Sequence, residues 1–563
     1  MSEPVVTPHR VAPFPTPGER PADLPDLVGR LARRDPEVAA VHERTPDGLV
    51  TVTRGELWQR VRALAEDLRE HGIVPGDAVA VWLPNWTEAL VWQCAVAARG
   101  GHVVGINTRY GIEEATHVLA RARPRLVALA PDFHGLDLVG RLRAAIEGSG
   151  VLPEVALVRG EGSTPDVGKA VWTPARTDGP EPERSDPAAL AVAFTTSGST
   201  GLPKLAAHTT AGVLSHGVAG AAALGLREGD VVLGALPLSG VFGYNAVVAG
   251  LAAGAAVLLE PVFDADDVLD DMAAVGVTHL ASGDDLVLRL VQACRARRRD
   301  LSAWRWWGVA DFQGRSRELA AWLAEEFGVV TAGVYGSSEV FALTSTWPDS
   351  EPAPARWAGG GRVVHPGIEV RAADPVTDEV REPGVEGELQ FRGPNVVDGY
   401  LGSEPRDAQR SGAGPVPDVW TADGWFRSGD LGVTVDEGAF VYVCRMGDAL
   451  RLRGFLVDPA EIEVRLAAHP AVHTAKVVGV EGPDGGTVAV GFVTLDGAGQ
   501  PGDLRAWCAE VLAPFKVPAA VHVLDAMPTT SGTNGLKIRA EELRRMAREA
   551  EPRSARAGTR TAP

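Results

Sequence analysis

The spacing of apolar positions switches repeatedly along this chain between a helical and a strand period. Leu57, Val61, Leu64 and Leu68 recur at helical spacing, so Leu57 to Glu70 reads as an amphipathic helix. Asp77 to Leu83 is then a short apolar run of the kind a buried strand needs. Trp86 to Arg99 is helical again, and His102 to Ile106 is a strand. Ala189 to Phe194 is a further short strand, and Arg317 to Phe327, free of Gly and Pro, is a further amphipathic helix. This βαβ rhythm predicts an α/β fold of parallel or mixed sheets with covering helices. Gly160 to Asp186 and Gly402 to Asp418 are rich in Gly, Pro and polar residues and read as loops. Pro4 to Pro25 is Pro-rich and reads as irregular. No internal repeat is visible.

One stretch tests the reading. Val231 to Leu259 carries no charged residue and is long enough to cross a bilayer. Pro237, Asn245 and five Gly interrupt it, which predicts strand, turn and buried helix instead, with no membrane span.

Composition narrows the function classes. At 563 residues the chain exceeds one small core, so two or more domains are expected. Its 45% hydrophobic and 23% charged residues are those of a soluble globular protein. A formal net charge of −19 repels phosphate backbones and argues against nucleic acid as a partner. Any anionic ligand must therefore be met by local positive features. Cys94, Cys294, Cys444 and Cys508 have no metal-like spacing and read as buried, reduced thiols of a cytoplasmic protein.

The richest chemistry follows the strand ending at Phe194. Phe194-Thr-Thr-Ser-Gly-Ser-Thr-Gly-Leu-Pro-Lys204 holds two Gly, five hydroxyl side chains and one Lys. Gly198 and Gly201 allow a tight turn and close backbone approach to a ligand. Hydroxyls, backbone N–H groups and a cation together can cradle phosphate. Pro203 before Lys204 rules out a Walker-type helix start.

This run resembles the phosphate loop of the adenylate-forming superfamily: acyl-CoA synthetases, peptide-synthetase adenylation domains and firefly-type luciferases. Further family motifs recur in order. They are Tyr335-Gly-Ser-Ser-Glu339, Gly387-Glu-Leu with Gly399-Tyr400, Gly424-Trp-Phe-Arg-Ser-Gly-Asp430, and the segment from Arg445 through Gly454 to Pro459-Ala-Glu-Ile-Glu463. Pro528-Thr-Thr-Ser-Gly-Thr-Asn-Gly-Leu-Lys537 resembles the terminal lysine motif. The match covers about residues 25 to 545.

The resemblance implies an irregular arm over residues 1–24, a large N-terminal domain over 25–446, a small mobile α/β domain over 447–550 and a tail over 551–563. It implies an ATP-dependent acid–thiol ligase using ATP, Mg²⁺ and CoA. A small-molecule carboxylic acid would become an acyl-adenylate, which CoA then attacks. Thr196, Ser197, Gly198, Ser199, Thr200, Gly201 and Lys204 would hold the β- and γ-phosphates. Glu339 would bind Mg²⁺ with help from Thr200. Tyr335 and Ser338 would lie at the nucleotide, Ser338 near the α-phosphate. Asp430 would accept both ribose hydroxyls with Arg445 beside it. Lys537 would bridge the carboxylate and α-phosphate, and Gly454 would line the CoA tunnel. Ser239, Gly240, Phe242 and Gly333 fall at the acyl pocket, where the small Ser239-Gly240 pair leaves room for a bulky apolar acid.

Three positions depart from the family pattern. Ser239-Gly240 replaces an aromatic or His, Val309-Ala310-Asp311 replaces Gly-Ala-Pro near the adenine, and Gly447 or Asp448 stands at the hinge. These departures keep three rival readings open. One is an enzyme restricted to thioester formation from a preformed acyl-adenylate, and another loads a carrier protein. The third is a nucleotide-binding protein without catalysis. A homodimer is compatible with all of them.

Overall fold

The helical spacing around Val61 is realised in the helix Arg54–Glu70, which buries Leu57, Trp58, Val61, Leu64 and Leu68 on one face. It begins three residues before the apolar pattern does. Thr53 accepts a hydrogen bond from the Glu56 amide, and the Glu56 carboxylate accepts one from the Thr53 amide, a reciprocal cap that satisfies first-turn donors. The computed structural model describes residues 21–160, 164–196, 204–312, 314–402, 419–446, 450–452, 455–457, 459–482, 487–495, 503–512, 514, 516–532 and 535–550. The first helix, Leu24–Arg34, starts inside the Pro-rich stretch read as irregular. Asp23 caps it, and Pro25 sits in the first turn, where its missing N–H costs nothing.

Two sheets form the body of the N-terminal part. The smaller is seven-stranded, in the order Val171–Trp172, Glu154–Leu157, Leu126–Leu129, Ala78–Trp82, His102–Gly105, Leu190–Thr195, Leu205–Thr209. Its pairs are parallel except the last, a hairpin around the Ser/Thr/Gly run. The larger sheet has thirteen strands. From Val330–Tyr335 through Trp306–Ala310, His279–Gly283, Val231–Gly234 and Ala256–Leu259 to Ala39–Thr45 it is parallel. Beyond Tyr335 the pairing turns antiparallel through Ser345–Thr346 and Gly360–Val363 to the long pair Phe426–Asp436 and Ala439–Arg445. The sheet is thus mixed, one of the two forms the sequence allowed.

The uncharged stretch resolves as expected into strand Val231–Gly234, helix Val241–Ala252 with every residue buried, and strand Ala256–Leu259. Among the described residues no helix is long and apolar enough to cross a membrane. All four cysteines are buried. The C-terminal part builds a separate small sheet from Leu450–Leu452, Phe455–Val457, Val472–Glu481, Thr487–Leu495 and Ala520–Val523 over its own apolar core. A two-stranded hairpin, Thr529–Gly532 with Gly535–Ile538, follows and lies against the helix Asp284–Ala296 of the N-terminal part.

Candidate active site

Thr195 ends its strand in the core of the smaller sheet, and the hairpin of the Ser/Thr/Gly run leaves from there. Thr196 donates its amide to the Lys204 carbonyl at 2.9 Å, and Lys204 returns its own amide to Thr196 Oγ1 at 3.2 Å. These two bonds close the mouth of the hairpin. Ser197, Gly198, Ser199, Thr200 and Gly201 lie outside the described residues, as do the hinge candidates Gly447 and Asp448 and the CoA-tunnel candidate Gly454.

Tyr335 is the last residue of the last parallel strand, the strand end at which open α/β sheets bind ligands. The chain then doubles back so tightly that a Cβ on Gly336 would stand 2.7 Å from the Ala342 Cα. Phe341 and Leu343 adopt left-handed φ of 57° and 59°, a conformation costly for side chains of their size. Buried packing holds it. The Phe341 ring lies 4.7 Å from His208 and 5.1 Å from His216, ring centre to ring centre. His208 Nε2 donates to the Ser338 carbonyl at 2.7 Å. Burial pulls His208 down to about 4 and His216 down to about 3, so both rings are neutral at pH 7. Ser338 Oγ reaches back to the Thr195 carbonyl at 3.4 Å, tying the turn to the hairpin strand.

Asp430 and Arg445 sit directly opposite each other on the antiparallel pair. Arg445 Nη1 donates to Asp430 Oδ1 at 2.8 Å, and the Tyr335 hydroxyl donates to Asp430 Oδ2 at 2.6 Å. Ser428 Oγ accepts the Asp430 amide at 3.0 Å. Asp430 is 6% exposed and Tyr335 7%, so this carboxylate is held from both sides in a largely dry place. Burial and the Asp430 charge push the Tyr335 phenol well above its usual value and keep it a donor.

Glu339 is half-buried, and its Oε1 accepts the Tyr400 hydroxyl at 3.0 Å. Lys204 Nζ stands 4.9 Å from the centre of the Tyr400 ring. Among the described residues there is no cluster of three or more His, Cys, Asp or Glu able to hold a metal by itself. One carboxylate beside a phosphate hairpin is instead the donor set that suits Mg²⁺, which keeps waters and takes its remaining oxygens from phosphates.

Asp311 spends its carboxylate on its own loop. Oδ1 accepts the Gly314 amide at 2.8 Å and Oδ2 the Ser316 hydroxyl at 2.7 Å. Asp284, at the end of the neighbouring strand, accepts the Phe312 and Arg315 amides at 3.0 Å each. Burial and the Asp311 charge raise Asp284 to about 7.

The acyl-pocket candidates are buried. Ser239 and Gly240 precede the helix Val241–Ala252, and Phe242 is in its first turn. Asn85 fixes this turn. Its amide donates to the Gly234 and Leu236 carbonyls, and its oxygen accepts the Leu238 amide at 2.9 Å. A Cβ on Gly333 would collide with the Ala358 carbonyl at 1.8 Å, so backbone packing already requires Gly there. Lys537 lies on the strand Gly535–Ile538 opposite Thr530, and its side chain is outside the described residues.

Sequence reasoning therefore named Tyr335, Ser338, Glu339, Asp430 and Arg445, which the fold joins. It missed His208 and Asn85, whose work is hydrogen bonding to backbone groups distant in sequence, and it named Ser428 only within a motif. It named Tyr400 only as part of a motif.

With this geometry in view, a family profile described as AMP-binding enzyme matches residues 29–401, and one described as AMP-binding enzyme C-terminal domain matches 461–533. A feruloyl-CoA synthase from Amycolatopsis is 30% identical, with 90% of this chain and 96% of the relative covered. A 7a-methyl-1,5-dioxo-octahydro-1H-inden-4-yl propanoyl:CoA ligase from Rhodococcus jostii is also 30% identical, covering 91% of this chain and 96% of the relative. The o-succinylbenzoate CoA synthetase from Bacillus subtilis, solved with its acyl-adenylate intermediate, superposes with a TM-score of 0.74 at 25% identity over 92% of this chain and 97% of that one. An amide bond synthetase from Marinactinospora thermotolerans gives 0.74 at 27% over 92% and 99%. The chain belongs to the AMP-binding enzyme family, the adenylate-forming enzymes, and its relatives there include acyl-CoA ligases.

Proposed function

We propose that this enzyme is an ATP-dependent acyl-CoA ligase for a bulky, largely apolar carboxylic acid, working in the cytoplasm through an acyl-adenylate. The observation that carries the reading is the hydrogen-bonded set Asp430–Tyr335–Arg445 one turn from Glu339 and the mouth of the phosphate hairpin. It offers a fixed carboxylate for a ribose diol and a second carboxylate for a cation, close to a phosphate cradle.

Joining a carboxylate to ATP brings two anions together, so the site must neutralise charge as pyrophosphate leaves. In this reading Thr196 to Lys204 hold the β- and γ-phosphates and Asp430 accepts the two ribose hydroxyls. Arg445 holds Asp430 in register. Ser338, its carbonyl fixed by His208, faces the α-phosphate. Glu339, with Thr200, would hold Mg²⁺, which would supply charge neutralisation at the phosphates. Lys537 would then bridge the acid carboxylate and α-phosphate; its hairpin lies against the helix that starts beside the adenine segment. Gly454 would line the path of CoA after the C-terminal part rotates.

Two features support a bulky apolar acid. The wholly buried helix Val241–Ala252 is entered by Ser239-Gly240, which are smaller than the aromatic or His of the family pattern. The feruloyl-CoA synthase, the inden-4-yl propanoyl:CoA ligase and the o-succinylbenzoate CoA synthetase are each named for a ring-bearing acid. Both oxygens of Asp311 accept hydrogen bonds within its own loop.

The test is carboxylate-dependent exchange of labelled pyrophosphate into ATP across ring-bearing and linear acids, followed by mass detection of the thioester with CoA. Exchange and thioester with ring-bearing acids are expected. No exchange with any acid, alongside rapid thioester formation from synthetic acyl-adenylates, would instead establish the half-reaction enzyme. Exchange with transfer only to an amine or a carrier protein would reassign the acceptor.

A further inference from the structure

We infer that Tyr400 is a positioning residue that sets the Glu339 carboxylate and the Lys204 ammonium together at the mouth of the phosphate hairpin. Tyr400 belongs to the segment that crosses from the antiparallel lobe to the smaller sheet. Its backbone forms an antiparallel bridge with Ala206, and the next amide, Leu401, donates to the Leu205 carbonyl at 2.8 Å. The residue is thus pinned to the strand that begins right after Lys204. Its hydroxyl then donates to Glu339 Oε1 at 3.0 Å, while its ring lies under Lys204 Nζ at 4.9 Å. Trp420 packs 6.3 Å from the ring, centre to centre.

The same segment also holds the Glu339 backbone, since the Val397 amide donates to the Glu339 carbonyl at 2.9 Å. The Glu339 carbonyl and carboxylate are therefore both held from 397–400, although Glu339 itself lies in the turn beyond the strand Val330–Tyr335. A carboxylate has about four lone-pair sites, so one bond from Tyr400 orients the group and leaves acceptor capacity for a cation. The ring attracts the ammonium without neutralising it, so Lys204 stays available to an anion. One side chain thus sets the distance between the group for the cation and the group for the phosphates. Such preorganisation lowers the ordering cost when the pair closes on a nucleotide.

The inference rests on the ligase reading. It is tested by calorimetric titration of ATP into the full-length protein, with and without Mg²⁺, for the wild type, Tyr400→Phe and Tyr400→Leu. Tyr400→Phe deletes the hydroxyl and keeps the ring. Its half-saturating Mg²⁺ should rise about three- to tenfold, the range for losing one ordinary net hydrogen bond. Its melting temperature and its metal-free ATP affinity should stay those of the wild type. Tyr400→Leu should also weaken metal-free ATP binding, because Lys204 loses its ring. Wild-type Mg²⁺ dependence in Tyr400→Phe would overturn the inference, and so would an equal loss with and without Mg²⁺ accompanied by a lower melting temperature. A wild type with no Mg²⁺-dependent ATP binding would overturn both this inference and the ligase reading.

Discussion

Replacing Asp430 by Asn tests the nucleotide end of the site with little change of shape. In the free protein Asp430 accepts from Tyr335 at 2.6 Å and from Arg445 at 2.8 Å. The amide can keep one of these bonds with its oxygen, but its NH₂ then faces the other donor. Arg445 is 51% exposed, so the lost ion pair is screened and worth about 1 kcal/mol or less. The buried Tyr335 hydroxyl is the larger concern, and a poorly satisfied buried donor costs about 1–3 kcal/mol. The variant should fold with a lowered melting temperature.

The effect on ATP is larger in consequence. Two ribose hydroxyls donating to a carboxylate form two charge-assisted bonds, each about twice as strong as a neutral one. Weakening both removes about 1.5–3 kcal/mol, and about 1.4 kcal/mol is a factor of ten. The KM for ATP in pyrophosphate exchange should rise about ten- to hundredfold. kcat should fall much less, because the ribose contacts are equal in the ground and transition states. Repeating the assay with 2′-deoxy-ATP isolates the contact. The wild type should discriminate against the deoxy nucleotide and Asp430→Asn should barely do so. Undiminished discrimination in the variant would refute the placement of Asp430 at the ribose, whatever happened to KM.

Glu339→Gln should slow pyrophosphate release about 10²-fold or more, the scale of losing a key electrostatic group, and a near-normal rate with Mg²⁺ present would remove Glu339 from the site. Lys537→Ala should abolish adenylation yet convert supplied acyl-adenylate to thioester near the wild-type rate; an equal fall in both steps would make Lys537 structural or shared. Acid should loosen the Ser338 turn. His208 titrates near 6.5 when unfolded but only near 4 when folded, so its stabilisation is complete above about pH 6.5 and is lost as pH falls toward 4. His208→Gln should flatten the melting-temperature profile over that window, and an unchanged slope would exclude His208 as its source.

The parts legible in the sequence are those where one local segment fixes the chemistry. Tyr335 to Glu339 must leave a parallel strand and turn back on itself, so Gly and small hydroxyl residues recur there. The alternation around Asp77 to Ile106 and the broken apolar run around Pro237 likewise carry their own period. The antiparallel lobe was harder to read, because strands such as Gly360–Val363 and Ser345–Thr346 are too short to establish a period. His208 and Asn85 were illegible for a different reason. Each is a polar residue in an apolar setting whose partner lies 130 or about 150 residues away, at Ser338 or at Gly234 to Leu238. Only the fold puts a carbonyl next to that ring or that amide.

The same distinction explains why departures from the family pattern weigh less in the fold than along the chain. Asp311 reads as an unwelcome negative charge beside adenine, since a residue letter carries its formal charge and not its partners. In the fold it accepts from Gly314 and Ser316 and closes its own turn, with Asp284 supporting the next two amides. The bonds that build the candidate site instead run between segments. Tyr335 meets Asp430 across 95 positions, Ser338 meets Thr195 across 143, and Tyr400 meets Glu339 across 61. Each contact crosses between the parallel sheet, the hairpin sheet and the antiparallel lobe. Binding a nucleotide there would clamp all three pieces together. Saturating MgATP should therefore raise the melting temperature of the whole N-terminal part as one cooperative unit.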